Sequence, residues 1–411
     1  MSTTGSHHGS NSRTNSSQRQ VIGAEQVAQA HAKKLKELEI GKNDIVTDLA
    51  RESAQRLGVA LVIGPIARPE VVRADGATQQ QRQLLRRSPK WSAPAPVTRR
   101  CPPIDKLAVI GVGGVGGNIA HLAANTELAR HIALIDITPG IAAATALDLQ
   151  HASGITNSRS QLSGGEDMKL IKDANVVVIT AGRPRTTGMT RNDLIQVNQR
   201  VMSMCSESLI NLAPDAIVII VTNPLDEMTL AVLKGTGFPR ERVLGMAGTL
   251  DSSRFRFALA AKARCDTRDV QALTLGSHGD EMVPLHSLAR IKGRPLTDSL
   301  SDEDIAACVQ DAVHGGGAVV SLRKTGSATI APAHAVIEVL QHIRGERSGW
   351  VPVSVLLDGE YGYSDVVMGV PAHLGPQGLV AIEELPLSSS EKQALHAAFE
   401  TSQRNQSELI A

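Results

Sequence analysis

Only four cysteines occur in 411 residues, Cys101, Cys205, Cys265 and Cys308, and no two stand at C-x-x-C spacing. Such sparse thiols argue against a metal site or a disulfide framework and fit a reducing compartment. The opening stretch, MSTTGSHHGSNSRTNSSQRQ, lacks the apolar core of a secretory signal. No apolar run approaches the roughly 20 residues of a membrane-spanning helix, and no segment repeats at solenoid length. A cytoplasmic-type protein is expected, with no bound metal and with neither nucleic acid nor membrane as a partner.

Net charge is only +1, but it is unevenly spread. Residues 1–100 hold 16 Lys and Arg against 8 Asp and Glu, leaving 26 against 33 for the remainder. A basic extension therefore precedes an acidic body. Residues 1–20 are rich in Ser, Thr, Asn and Gly and read as a disordered tail, with His7 and His8 solvated within it. Residues 21–72 read as a small α/β module. Val27, His31, Leu35 and Leu38 predict a helix from Ala24 to Leu38. A second helix is predicted from Asp44 to Leu57, with Thr47 as N-cap and Gly58 past its end, then a strand from Val59 to Ile63. Residues 73–103, with a glutamine run and Pro94, Pro96, Pro102 and Pro103, read as a linker.

The rest of the chain can be placed around residues 106–136. An apolar strand, Leu107 to Ile110, runs straight into Gly111-Val112-Gly113-Gly114-Val115-Gly116, and helical spacing follows at Ile119, Leu122 and Ala123. The G-x-G-x-x-G pattern assigns Gly111 to a tight turn, Gly113 to close approach by a pyrophosphate, and Gly116 to close packing of helix on strand. A pyrophosphate is favoured at a helix N-terminus by free N–H groups and the helix dipole. Asp136 stands twenty positions past Gly116, at the end of a second strand, where a carboxylate bonds ribose hydroxyls and repels a 2′-phosphate. The cofactor expected is NAD rather than NADP.

Strands and helices then alternate. Strands at 176–179 and 216–221, with helices at about 140–151 and 193–212, imply a doubly wound parallel sheet of Rossmann type over residues 104–245. Ligands of such sheets bind beyond the carboxyl ends of the strands, so residues after Ile110, Ile179 and Val221 should converge. Beyond about Arg242, helices at 252–264, 301–314 and 318–343, the last interrupted near Gly326, mix with hairpin-like strands at 351–357 and 366–370. Residues 246–411 thus read as an α+β catalytic domain.

His278 follows a strand expected from Gln271 to Leu275 and is flanked by Gly276 and Gly279. Alone, it is more readily an ordinary turn histidine than a proton shuttle. Asp251 and Arg254, at i and i+3 on one helix, share a face. A carboxylate there can fix an imidazole tautomer, and a guanidinium can clamp a substrate carboxylate with two parallel bonds. Between Ala181 and Arg191, three arginines lie among flexible residues, as in a lid that closes over an anionic substrate.

These stretches, with ALDLQHA, TAGRPRTTGMTRNDL, VTNPLD, GMAGTLDSSRFR, GSHGDEMVPL, LRKTGSATIAPA and GEYGYSDVVMGVPAHLG, resemble the lactate/malate dehydrogenase family, in its lactate-dehydrogenase-like malate dehydrogenase branch. The resemblance runs from Lys106 to the C-terminus and implies an NAD-dependent enzyme and a homo-oligomer, dimer or tetramer. It implies His278 as acid/base, Asp251 as its orienting partner and Arg254 on the substrate carboxylate. It further implies Arg191 on the reacting carbonyl, Asn223 on substrate and nicotinamide side, and Asn198 and Val221 on the cofactor. Arg185 falls where arginine goes with a dicarboxylic acid and glutamine with lactate, which implies malate and oxaloacetate. Arg183 and Thr186-Thr187 depart from the usual lid, and a different 2-hydroxy acid is the alternative if Arg185 does not face the substrate. Residues 44–62 resemble a short segment of bacterial microcompartment proteins, which implies docking of residues 21–72 to a shell or other protein.

Overall fold

The computed structural model describes residues 21–40, 44–63, 101–184, 189–279, 281–324 and 326–409. The expected tail, most of the expected linker and Arg185 lie outside these. The chain divides between Ser92 and Ala93 into two units.

The first unit consists of two successive strand-helix-strand halves: β1 (Val21–Ile22), α1 (Ala24–Ala32) and β2 (Glu37–Ile40), then β3 (Ile45–Val46), α2 (Asp48–Leu57) and β4 (Ala60–Ile63). Equivalent strands pair in parallel, β1 with β3 and β2 with β4. As expected, the Thr47 hydroxyl caps α2 by accepting from the Ala50 N–H at 3.2 Å, and Gly58 ends it at φ +65°. Helix α1 is shorter than its pattern suggests. The chain turns at Lys33 and Lys34, and Leu38 pairs beside Leu61 in a strand. Val27, Ala30, Ala50, Ala54 and Val59 form the core.

The second unit is organised on one sheet of eleven strands. Six are parallel: β5 (Ile104–Ile110), β6 (Ala129–Ile135), β7 (Gln161–Gly165), β8 (Val176–Ile179), β9 (Ile217–Ile220) and β10 (Val243–Gly245). Their order across the sheet is β7-β6-β5-β8-β9-β10, the 3-2-1-4-5-6 order of dinucleotide-binding folds, with its switch point between β5 and β8. Strands such as Val176–Ile179 are buried at every residue because helices cover both faces. The Rossmann expectation is correct.

Most strands of the catalytic half join this same sheet, and only a small three-stranded antiparallel sheet stands apart. The antiparallel pair β16 (Trp350–Asp358) and β17 (Ser364–Gly375) extends the parallel sheet through Gly245 opposite Ser354. The strand expected at 271–275 is two pieces: β11 (Val270–Gln271) pairs with β14 (Arg290–Ile291), while β12 (Thr274–Gly276) pairs with β13 (Met282–Pro284) and β17. Gly276 at φ +86° turns the chain there. The helix expected at 301–314 continues to Arg323 and absorbs residue 318 onward. At 22 residues it is long and apolar enough to cross a membrane by length and composition alone, contrary to the expectation above. Its Ile305, Cys308 and Ala312 pack with Phe255 and Leu259 in a local core.

Candidate active site

Three glycines shape the crevice at the switch point, each through what a side chain would meet. A Cβ on Gly111, which sits at φ +94°, would lie 2.5 Å from the Ala181 nitrogen; one on Gly116 would lie 1.9 Å from the Gly111 carbonyl. Only glycine lets strand, helix and neighbouring loop approach so closely. Gly113, the N-cap of α3 (Gly114–Asn125), is the reverse, with nothing within 4 Å of a Cβ. An open face at a helix N-terminus is the shape that a pyrophosphate requires. The Thr180 hydroxyl donates to the Gly111 carbonyl at 2.7 Å and ties β8 to the turn. Val221, half-buried at the end of β9, extends this edge.

Asp136 closes the crevice at the end of β6. Its two oxygens accept backbone N–H bonds from Val112 at 2.7 Å and Thr138 at 2.9 Å. Partial burial pushes the carboxyl pKa up, but these bonds outweigh it and hold the group below its usual range. A fixed negative charge therefore stands beside the glycine turn.

The chemical half is assembled from buried charge. Helix α7 (Gly248–Ala263) carries Asp251 and Arg254 on one face, and Arg254 Nη1 donates to Asp251 Oδ1 at 3.0 Å. The other oxygen, Asp251 Oδ2, lies 2.8 Å from His278 Nδ1. The imidazole side chain is 21% exposed and that of Asp251 only 3%. An acceptor at Nδ1 leaves Nε2 for a substrate oxygen. Burial pushes the His278 pKa down, yet the charges of Asp251 and Asp226 more than offset it, and the net direction is up. Arg254 crosses Gly315 and Gly316, where an added Cβ would come within 3.2 and 3.1 Å of its side chain.

Both halves match a family model. Residues 105–245 match the NAD-binding domain of lactate/malate dehydrogenases and residues 248–409 the α/β C-terminal domain. The chain belongs to the lactate/malate dehydrogenase family. It is an NAD-dependent 2-hydroxy-acid dehydrogenase. Similar curated relatives include malate dehydrogenase of Trichormus variabilis, 42% identical over 75% of this chain and 94% of its own, and that of a Nostoc species, 41% identical over 77% and 97%. Among solved structures, Salinibacter ruber malate dehydrogenase aligns with TM-score 0.70 at 35% identity, covering 74% of this chain and 97% of its own. A Cryptosporidium parvum lactate dehydrogenase complexed with lactic acid and the nicotinamide dinucleotide aligns with TM-score 0.72 at 34% identity, covering 75% and 98%.

Several expected site residues have unexpected partners. Asn198 is fully buried. Its side chain accepts from the Arg183 N–H at 2.7 Å and donates to the carbonyls of Arg183 and Asn223, the latter at 2.6 Å. It thus braces the base of the lid and the end of β9, with Asn223 itself exposed. Arg191, at the start of α5 (Arg191–Leu212), pairs with Glu227 at 2.5 Å. Burial alone would lower the Arg191 pKa, but the Glu227 charge raises it. Sequence reasoning missed Glu227 and Asp226, buried in the first turn of α6 (Leu225–Thr236). Two adjacent acids a few residues past a strand that ends at the crevice were visible in the sequence, but their partners were not.

Proposed function

We propose that the chain interconverts malate and oxaloacetate, with NAD as the cofactor. The observation that carries the chemistry is the His278–Asp251 pair beside Arg254, on the same sheet as a glycine crevice fit for a dinucleotide. Dicarboxylate choice is supported by relatives named malate dehydrogenase at about 40% identity over most of their length and by the sequence position of Arg185.

Bound NAD supplies the acceptor for the hydride leaving C2 of malate. His278 takes the hydroxyl proton at Nε2, and Asp251 stabilises the resulting imidazolium through Nδ1; in reduction the same proton returns to the oxygen. Arg254 has guanidinium donors beyond the one on Asp251 and holds the C1 carboxylate. Arg191 exchanges part of its contact with Glu227 for the reacting oxygen, and Arg185 pairs with the distal carboxylate. The test is NADH oxidation by the purified protein with oxaloacetate and pyruvate compared side by side. Preference for pyruvate overturns the malate assignment and favours the lactate-like alternative.

Self-association is proposed through the end of the Asp302–Arg323 helix, where Val319, Val320 and Leu322 are 37%, 41% and 84% exposed, with Phe257 of α7 at 67%. Isolated apolar residues are ordinary, whereas three within one turn at a helix end support this reading. Leu322→Asp should lower the mass measured by light scattering; an unchanged mass overturns that face. Residues 21–72 are proposed as a docking module, supported by their separate core and by Val21 and Ile45, paired side by side and both more than half exposed.

A further inference from the structure

One buried acid has no part in the chemistry above. Asp226 is 2% exposed. Its Oδ2 accepts from the Ser277 hydroxyl at 2.8 Å and from the His278 backbone N–H at 3.1 Å. The Ser354 hydroxyl lies near enough to act on the carboxyl, but among the described residues neither Asp226 Oδ1 nor Ser354 Oγ makes a hydrogen bond of good geometry. Glu227, the adjacent acid, is engaged with Arg191.

Such an arrangement is a poor choice for folding alone. A buried carboxylate with an unsatisfied oxygen is destabilising. Asparagine would keep an oxygen for Ser277 and His278 and offer its amide N–H to Ser354, with no charge to bury. The acid is the less stable option, so its use must lie in the charge.

We propose that Asp226 is a positioning residue for His278, fixing the backbone of the turn that carries the imidazole and setting a second carboxylate charge beside the ring. Asp251 orients the ring through Nδ1; Asp226 holds the Ser277-His278 segment from the first turn of α6 and ties it to the helix that follows β9. This rests on the reading of His278 as the proton shuttle.

The groups acting on the ring are Asp251 and Arg254 from α7 and Asp226 from α6, with Arg254 opposing the two acids. Those acting on Asp226 are Glu227 beside it, the Ser277 and Ser354 hydroxyls and the His278 N–H, and Arg191 lies close enough to feel its charge. Burial first, and Glu227 second, push the Asp226 pKa up to about 6. Asp226 is therefore ionised above about pH 6 and neutralises below it, which removes its support for the imidazolium in acid.

The experiment follows the His278 ring by proton–nitrogen NMR against pH in the full-length protein without cofactor, the signal being assigned by its loss in His278→Asn. Asp226→Asn should fold with an equal or higher Tm, and its His278 midpoint should fall by roughly half to one pH unit. The rising limb of malate oxidation should move the same way. A folded Asp226→Asn with an unchanged midpoint overturns the proposal. Should Asp226→Asn not fold, Ser277→Ala removes one donor from the carboxylate, raises the Asp226 pKa and thins its charge near neutrality. The His278 midpoint should then fall by a smaller amount, and no shift in that variant overturns the proposal too. Because the titration needs no substrate, it succeeds or fails independently of whether malate is turned over.

Discussion

The two halves of the candidate active site are built from different materials. The dinucleotide crevice is made by missing side chains: Gly111 and Gly116 let backbone segments approach where a Cβ would overlap, and Gly113 leaves open space. The catalytic half is made by buried charge: Asp251 and Asp226 act on His278, Arg254 leans on Asp251, and Glu227 holds Arg191. A steric device does not titrate and fails when volume is added. An electrostatic one follows pH and fails when a proton or charge is lost.

The sharpest separation of the two is expected from His278→Asn. Turnover should drop by about 10²–10⁴-fold, since proton transfer is lost, while NADH affinity by fluorescence titration should stay within a few fold. Survival of turnover within a few fold would sink the shuttle. In the wild-type protein the His278 pKa lies above its ordinary value. Oxaloacetate reduction, which needs the imidazolium, should thus persist above pH 6.5 and fall as pH rises through the shifted value; malate oxidation should rise there. The same sign governs stability: the ion pair with Asp251 contributes fully below about 6.5 and is lost as pH rises through the native pKa.

Next in size is Arg185→Gln, which tests whether charge in the lid sets substrate choice as charge beneath it sets proton transfer. Losing an arginine–carboxylate contact in a closed site should cost about 2–5 kcal/mol in kcat/KM for oxaloacetate. Pyruvate, which has no second carboxylate, should lose far less. Equal losses on both substrates would break the assignment of Arg185.

Legibility in the sequence follows the same division. The close approaches at Gly111 and Gly116 were readable because they depend on short spacing within one strand-turn-helix unit. Asp251 with Arg254 was readable because i and i+3 share a helix face. The partnership of Asp226 with His278 spans 52 positions, and nothing local announces it. Glu227 is hidden for the same reason, 36 positions from Arg191. Leu38 was misplaced because helical spacing cannot see Leu61 waiting in a parallel strand. The continuity of the sheet was missed because it rests on one pairing, Gly245 with Ser354.

A smaller effect, confined to the steric half, is expected from two glycine substitutions. Gly116→Ala places a methyl 1.9 Å from the Gly111 carbonyl, so it should lower stability by about 1–3 kcal/mol through overpacking and weaken NADH binding as well. Gly113→Ala meets no protein atom within 4 Å. It should leave Tm within a few degrees yet weaken NADH roughly tenfold or more, because the methyl enters the space kept for the pyrophosphate. Neither loss should vary between pH 6 and 8. Equal Tm losses in the two variants would show that Gly113 is structural rather than a ligand-facing position.

The smallest effect is expected from removing residues 1–92. Among the described residues, the apolar clusters of the catalytic unit begin at Ile104, and the cluster of the extension runs from Val27 to Leu61. The His278, Asp251 and Arg254 contacts and the glycine crevice are likewise formed within residues 93–411. A site and a core that draw on one unit alone should survive loss of the other. Oxaloacetate turnover of the truncated protein should stay within a factor of about two and its Tm within a few degrees, an effect inside the usual range for changes away from cores and sites. Capture of a partner protein through the extension should disappear. The competing architecture is an arm in which the basic first hundred residues wrap the acidic body of a neighbouring subunit. That arm predicts a truncated protein that falls to a smaller species by light scattering and melts well below the full chain, with the deficit shrinking in high salt as opposite charges are screened. Dissociation of that kind would place the extension in the oligomer and end its reading as a docking module.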